Sequence, residues 1–214
     1  MTLEMQIKKM QEQTLPMIPE DVLNLLLSKT QELVNTGIAD KALHNGDKIP
    51  QITLPNVNNK EVEVNKYLIE GPIVISFYRG SWCPYCNLEL KALQDNLSEI
   101  EMAGGKLVAI TPELPDNSIS SVEKHNLKFE VLSDVGNKIA KEFGLVFNLA
   151  EELCPIYKQF DFDIPKYNGD ETWSLPIPAT YVINKDGVIT DCFVDANYTR
   201  RMEPLSIIEA LKKM

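Results

Sequence analysis

Residues 72–78 read Pro-Ile-Val-Ile-Ser-Phe-Tyr, an almost unbroken apolar run of strand length. Such a run marks a strand buried on both faces, as in the middle of a parallel sheet. Lys106-Leu107-Val108-Ala109-Ile110-Thr111, Phe129-Glu130-Val131-Leu132 and Ala179-Thr180-Tyr181-Val182-Ile183 repeat it. Between them the period changes to helical. Residues 87–103 place Leu88, Leu90, Leu93, Leu97 and Ile100 among charges, and Gly104-Gly105 ends the run. Helices are also expected at 118–125, 137–143 and 204–213. Asn184-Lys185-Asp186-Gly187 is a hairpin turn, with a returning strand at 188–194. Short strands at 52–54 and 62–64 flank a polar turn, and residues 150–177 carry no regular pattern.

Residues 1–42 differ. Leucines recur at helical spacing from Asp21 to Val34, Pro16 and Pro19 interrupt upstream, and Gly37 stands where the helix stops. The expected architecture is therefore α/β: a mixed central sheet, parallel at its centre and antiparallel at its edge, flanked by helices. It forms one domain over 43–214, after an N-terminal helical extension over 1–42. The extension is read as packing on that domain, with a homodimer contact as the alternative.

Composition narrows the function. With 214 residues, the chain can bury a core that needs no metal or disulfide to fold. A net charge of −10 disfavours nucleic acid and acidic membrane surfaces as partners. No apolar stretch has the length of a membrane span, and the first residues lack a signal peptide's apolar centre. The expected setting is cytoplasmic, where thiols stay reduced, so the 4 cysteines are not a disulfide framework.

Two of those cysteines form Cys83-Pro84-Tyr85-Cys86, directly after the first buried strand and before a helix. A thiolate is the reactive form of cysteine, and the positive end of a helix favours it. Proline suits a first helical turn, which puts Cys83 at the helix start. Cys86, three residues on, shares its face, within reach of a reversible disulfide. Trp82 and Tyr85 are placed to shield the pair and to offer a surface to a partner. A zinc site would need about four ligands. His44, His125, Cys154 and Cys192 are too scattered to complete one, so no metal is expected. Cys154 reads as a free thiol, Cys192 as a core residue, and both histidines as surface or structural. Asp195, Arg200 and Arg201 read as shaping the active-site end or as a salt-bridged loop. Trp173 and Leu175 read as packing against Trp82 or as ordinary core.

Phe77-Tyr78-Arg79-Gly80-Ser81-Trp82-Cys83-Pro84-Tyr85-Cys86 resembles the peroxiredoxin-like branch of the alkyl hydroperoxide reductase and thiol-specific antioxidant (redoxin) family. Gly46-Asp47-Lys48-Ile49-Pro50, Leu175-Pro176-Ile177-Pro178-Ala179-Thr180 and the segment from Asp195 to Arg201 extend the likeness from about 46 to 203. The resemblance implies a thioredoxin fold. It also implies an antioxidant oxidoreductase that reduces hydroperoxides through Cys83–Cys86 dithiol/disulfide cycling. Re-reduction would come from thioredoxin or a low-molecular-weight thiol, with no cofactor. Laid on the family pattern, Cys86 takes the peroxidatic position. Cys83 then stands where the family carries Thr or Ser, and Pro178 where it carries Arg. A thioredoxin would instead have Cys83 as the attacking thiol and Pro178 as a cis-proline. Both orders of attack stay open, and both end in the same disulfide. Arg79 is the candidate for a substitute positive charge, against a solvent-facing or ion-paired arginine. Two other functions remain: a thioredoxin-like reductase of protein disulfides, and a redox-switched binding module without turnover.

Overall fold

The computed structural model describes residues 1–119 and 122–214 in full and, at 120 and 121, the helical backbone alone. The chain opens with three helices, α1 (Leu3–Thr14), α2 (Glu20–Asn35) and α3 (Ile38–Lys41). A hairpin of β1 (Thr53–Pro55) and β2 (Glu61–Glu63) precedes β3 (Ile73–Phe77), α4 (Pro84–Asp95) and α5 (Leu97–Met102). There follow β4 (Lys106–Thr111), α6 (Pro115–His125), β5 (Glu130–Ser133), α7 (Lys138–Glu142) and β6 (Val146–Asn148). The chain closes through α8 (Cys154–Gln159), α9 (Ile164–Asn168), β7 (Ser174–Pro176), β8 (Ala179–Ile183), β9 (Ile189–Val194) and α10 (Pro204–Leu211).

The central sheet runs in the order β5-β4-β3-β8-β9. β3, β4 and β5 are parallel, whereas β8 and β9 pair antiparallel at the other side. This is the mixed sheet that the apolar runs predict. All five residues of β3 are buried, yet the pleat still sorts them. Ile73, Ile75 and Phe77 enter a core with Val108, Ile110, Leu132 and Tyr181, under β1, β2 and α7. Val74 and Tyr78 enter the two clusters beneath α4, α5 and α10. Burying each of these large side chains contributes roughly 1.5–3 kcal/mol.

The helix expected at 87–103 starts earlier and breaks once. Pro84 supplies the first turn of α4. At Asn96 (φ −108°, ψ 10°) the side-chain amide donates to the Ala92 carbonyl at 2.8 Å, and the chain re-enters a helix as α5. The segment 150–177 is more ordered than its sequence suggests. Pro155 and Pro165 open short helices, and β7 pairs with β6. Elements of three to six residues are too short to show a period. The Ile177–Pro178 bond is trans, which corrects the cis expectation. The Ile177 amide donates to the Leu145 carbonyl at 2.9 Å. The chain thus runs extended from β7 into β8, and nothing opposes the ordinary trans preference.

The N-terminal segment holds α1, α2 and α3, and its position is specific. Leu3, Ile7 and Leu26 share one apolar cluster with Trp82, Cys83, Tyr85 and Cys86. The Glu203 carboxylate accepts from the Leu3 and Glu4 amides at 3.0 and 2.7 Å, pinning the positive end of α1. Lys29 on α2 pairs with Glu152 at 2.8 Å.

Candidate active site

The loop between β3 and α4 carries the motif, and a tight backbone sets its shape. Gly80 has φ +155°, and a Cβ there would stand 2.2 Å from the Trp82 indole nitrogen. Only glycine admits that approach. The Glu113 carboxylate, two residues beyond β4, ties the next residue down. It accepts from the Ser81 amide at 2.9 Å and from the Ser81 hydroxyl at 2.7 Å. Cys83 follows as the N-cap of α4 in an extended conformation (φ −82°, ψ 116°), and its carbonyl accepts from the Asn87 amide at 3.0 Å.

The two thiols are free and buried but differ in environment. Burial opposes ionisation of Cys83. It is outweighed by the adjacent Cys86 thiol acting as a donor, by the charges of Arg79 and Arg201, and by the Cys86 backbone amide. The net result draws Cys83 from 9.0 down to about 6. Cys86 is held well above the ordinary thiol range, first by burial and then by its neighbour Cys83. At neutral pH the pair is therefore a Cys83 thiolate beside a Cys86 thiol.

Arg79 is neither solvent-facing nor ion-paired, so both ordinary readings of it are corrected. It is 2% exposed, and among the described residues it meets no carboxylate. Its guanidinium carbon lies 4.3 Å from the Tyr198 ring centroid, 4.9 Å from Trp82 and 5.7 Å from Tyr157. Nη2 donates to the Tyr157 hydroxyl at 2.7 Å, while Nε has no partner among the described residues. The charge is thus caged by rings, and its field lowers the Cys83 pKa. This box assembles from loops far apart in sequence, which no local motif announces.

Arg201 is a second buried cation, read from sequence only as a shaping or salt-bridged residue. Its Nε donates to Glu89 Oε2 at 2.5 Å with both side chains 2% exposed, and its Nη2 donates to Cys86 Sγ at 3.3 Å. Glu89 was missed, although a signal was present. It follows Cys86 by three residues, on the buried face of α4 that continues into Leu90 and Leu93. A lone charge on an apolar helical face demands a buried partner. Burial raises Glu89 to about 7 despite Arg201 beside it. Burial likewise raises Glu113 to about 7, against its bonds to Ser81.

Trp82 and Tyr85 shield the pair, both being buried. The rings against Trp82 are Tyr157 and Phe162, at centroid distances of 5.8 and 5.2 Å. Trp173 and Leu175 belong to the same cluster. Pro84 occupies the first turn of α4. Pro178 immediately precedes Ala179, which pairs with Phe77, and so stands at the sheet end from which the motif loop leaves. Cys154 donates to the Ala150 carbonyl, and burial raises its pKa. His44 and Cys192, unconnected in sequence, approach to 3.6 Å, with the Cys192 thiol raised by burial. His125 contacts Asn87 at 3.0 Å. Among the described residues no cluster of His, Cys, Asp and Glu is arranged for a metal ion. Among the described residues no helix is long and apolar enough to cross a membrane.

A cavity of about 450 Å³ reaches this site. Cys83, Pro84, Arg79, Trp82 and Tyr85 line it, whereas Cys86 does not.

A family model described as the AhpC/TSA family matches residues 45–192. Peroxiredoxin Q, chloroplastic, of Populus jackii is 27% identical over 191 residues, covering 89% of this chain and 76% of its own length. The Triticum aestivum protein of that name is 26% identical over 171 residues, covering 80% and 68%. Among solved structures, peroxidoxin BcpB of Mycobacterium tuberculosis aligns with a TM-score of 0.63 at 18% identity, over 80% of this chain and 98% of that one. That likeness shows a shared thioredoxin-type fold.

Proposed function

The chain belongs to the AhpC/TSA family of thiol-dependent peroxidases, and from that premise we propose that Cys83 is the sulfur that attacks the hydroperoxide. One observation carries the proposal: Cys83 is the low-pKa thiol and the one that lines the cavity, while Cys86 lies behind it and stays protonated. This order departs from simple superposition on the family pattern, which gives Cys86 the peroxidatic place.

In the first step the Cys83 thiolate attacks one peroxide oxygen. An S–O bond forms, the O–O bond breaks, and the leaving alkoxide or hydroxide takes a proton from water. Arg79 lines the cavity with Cys83, its Nε unpartnered among the described residues and available to stabilise the charge moving onto the leaving oxygen. It thereby fills the role of the arginine that Pro178 replaces. In the second step the Cys86 thiol condenses with the Cys83 sulfenic acid, releasing water and closing the disulfide. The Glu89–Arg201 pair holds Cys86 in place for this attack. In the third step a dithiol of the thioredoxin kind takes the disulfide by exchange and restores both thiols. Such a donor requires a reducing compartment, which supports a cytoplasmic setting. Trp82 and Pro84, on the cavity wall beside Cys83, give that donor its contact surface.

The test uses Cys83→Ser and Cys86→Ser, each treated with peroxide and then with a sulfenic-acid probe. Label is expected only in Cys86→Ser, where the Cys83 sulfenic acid has no partner. Label confined to Cys83→Ser would reverse the assignment.

A further inference from the structure

Cys192 packs against the core on the face of the central sheet opposite the Cys83–Cys86 pair. There the fold joins two residues 148 positions apart: Cys192 Sγ, on β9, lies 3.6 Å from His44 Nδ1. The same ring sets Nε2 2.9 Å from the Ala39 carbonyl oxygen. A carbonyl only accepts, so Nε2 carries the ring proton, and in the neutral ring Nδ1 offers its lone pair to the thiol. A nucleophile, a base within reach and a third group that orients the base make a unit suited to attack. The Asn45 backbone amide also favours a charged sulfur. Cys192 and His44 are both half-buried, which leaves the sulfur within reach of a small molecule.

The surroundings narrow what that molecule is. Burial holds the Cys192 thiol above its ordinary range, and the carboxylates of Asp191 and Asp47 add to this. The thiol is therefore protonated at neutral pH, and its attack needs a base as the new bond forms. The two carboxylates repel an anionic reagent and attract a cationic one. Tyr181 stands opposite Cys192 across the β8–β9 ladder, so the two share a sheet face. Its hydroxyl is buried, lies in the field of Cys192 and Asp47, and has no partner among the described residues. An unused polar group thus sits on the face of the reactive sulfur.

We infer that Cys192, with His44 as its base, is a second reactive thiol that forms a mixed disulfide with a cationic low-molecular-weight disulfide. His44 Nδ1 takes the thiol proton as Cys192 Sγ attacks one sulfur of the reagent. A new S–S bond forms, the reagent's S–S bond breaks, and the leaving thiolate takes the proton back from the imidazolium. Cys192 is oxidised and one half of the reagent leaves as a thiol.

The test uses the full chain carrying Cys83→Ser and Cys86→Ser, and follows each remaining cysteine by peptide mass spectrometry. The reagents are cystamine, hydroxyethyl disulfide and glutathione disulfide, which are cationic, neutral and anionic. At pH 7 cystamine should convert Cys192 about 10²-fold faster than Cys154, the scale of a positioned base. Cys154 is the internal reference, a half-buried thiol bonded instead to the Ala150 carbonyl. Adding His44→Gln should slow Cys192 to about the Cys154 rate, with the deficit shrinking toward pH 10, where the thiol ionises unaided. Asp47→Asn, which keeps an acceptor for the His44 amide, should narrow the preference for cystamine over glutathione disulfide. Equal rates at Cys192 and Cys154 overturn the inference. So does a His44→Gln variant that alters both cysteines in step, since that reads access and not a lost base. Glutathione disulfide reacting fastest overturns the choice of a cationic reagent.

Discussion

The chemistry of the site rests on an imbalance of buried charge around one sulfur. Arg201 has Glu89 as its counter-ion, but among the described residues Arg79 has only rings, a tyrosine hydroxyl and the charge of the neighbouring thiol pair. Arg79→Met should therefore raise the Cys83 pKa from about 6. It should also slow peroxide reduction by about 10²–10³-fold, the usual effect of removing one stabilising donor. The alkylation rate of Cys83 against pH reads the first effect: the wild-type curve rises through about pH 6, the variant's at higher pH. Arg79→Lys should not rescue it, since an ammonium cannot lie flat between the rings. Glu113 gives a stability prediction of definite sign. Its carboxyl is raised from 4.5 to about 7, so the folded chain binds its proton more tightly than the unfolded chain does. That contribution is complete below pH 4.5 and is lost as pH rises through 7. It amounts to about 3 kcal/mol at 1.36 per pKa unit. Urea unfolding of wild type and Glu113→Gln from pH 4 to pH 8 should show the wild type losing stability relative to the variant over that window. A constant difference would mean that Glu113 does not titrate with folding. The cysteines and Arg79 were legible in the sequence because they sit within one continuous motif. Glu113, Tyr157 and Tyr198 were not, because the fold alone brings β4, α8 and the loop after β9 to the same place.

Elements were legible in proportion to their length and to their punctuation. β3, β4 and β8 announced themselves as apolar runs, and Pro84 marked the start of α4. The break at Asn96 did not show, since an asparagine within a helical period is visible only through the carbonyl its side chain takes. β6 and β7 did not show either, because three-residue strands whose partners lie 26–30 positions apart have no local signal. The extension was legible as helix and not as active-site wall. Its apolar stripe says that it packs, whereas its place is set by Glu203, at the other end of the chain. That carboxylate satisfies two of the free amides at the start of α1, a task that usually falls to local residues. Glu203→Ala should weaken the docking of α1 by about 1–2 kcal/mol, the scale of a lost cap and its dipole interaction. Hydrogen exchange should then quicken at the α1 amides while β3 and β4 keep their protection. Uniform acceleration would mean that α1 opens only with the whole chain.

At the scale of the molecule, oxidation and stability are coupled through the same charges. When Cys83 and Cys86 close a disulfide, the thiolate that balances Arg79 is gone and the buried cation remains. The loss is set by linkage. A thiol lowered from 9.0 to about 6 stabilises the reduced fold above pH 6, and this fades as pH falls through 6. At pH 8, two units above that pKa, it is worth about 3 kcal/mol. Against it stands the entropy that the disulfide removes from the unfolded chain. For a loop of only four residues this is about 2 kcal/mol, since the effect grows with the logarithm of loop length. The two effects are of similar size and only the thiolate's depends on pH, so the reduced form gains on the oxidised form as pH rises from 6 to 8. Thermal unfolding of the peroxide-oxidised and fully reduced chain at both values should show the reduced form gaining Tm relative to the oxidised form from pH 6 to pH 8. That gain makes the disulfide easier for a thiol donor to reopen at the higher pH. Arg79→Met, lacking the cation, should show a smaller gain. A wild type whose Tm difference is the same at both values would mean that the cation is not balanced by Cys83.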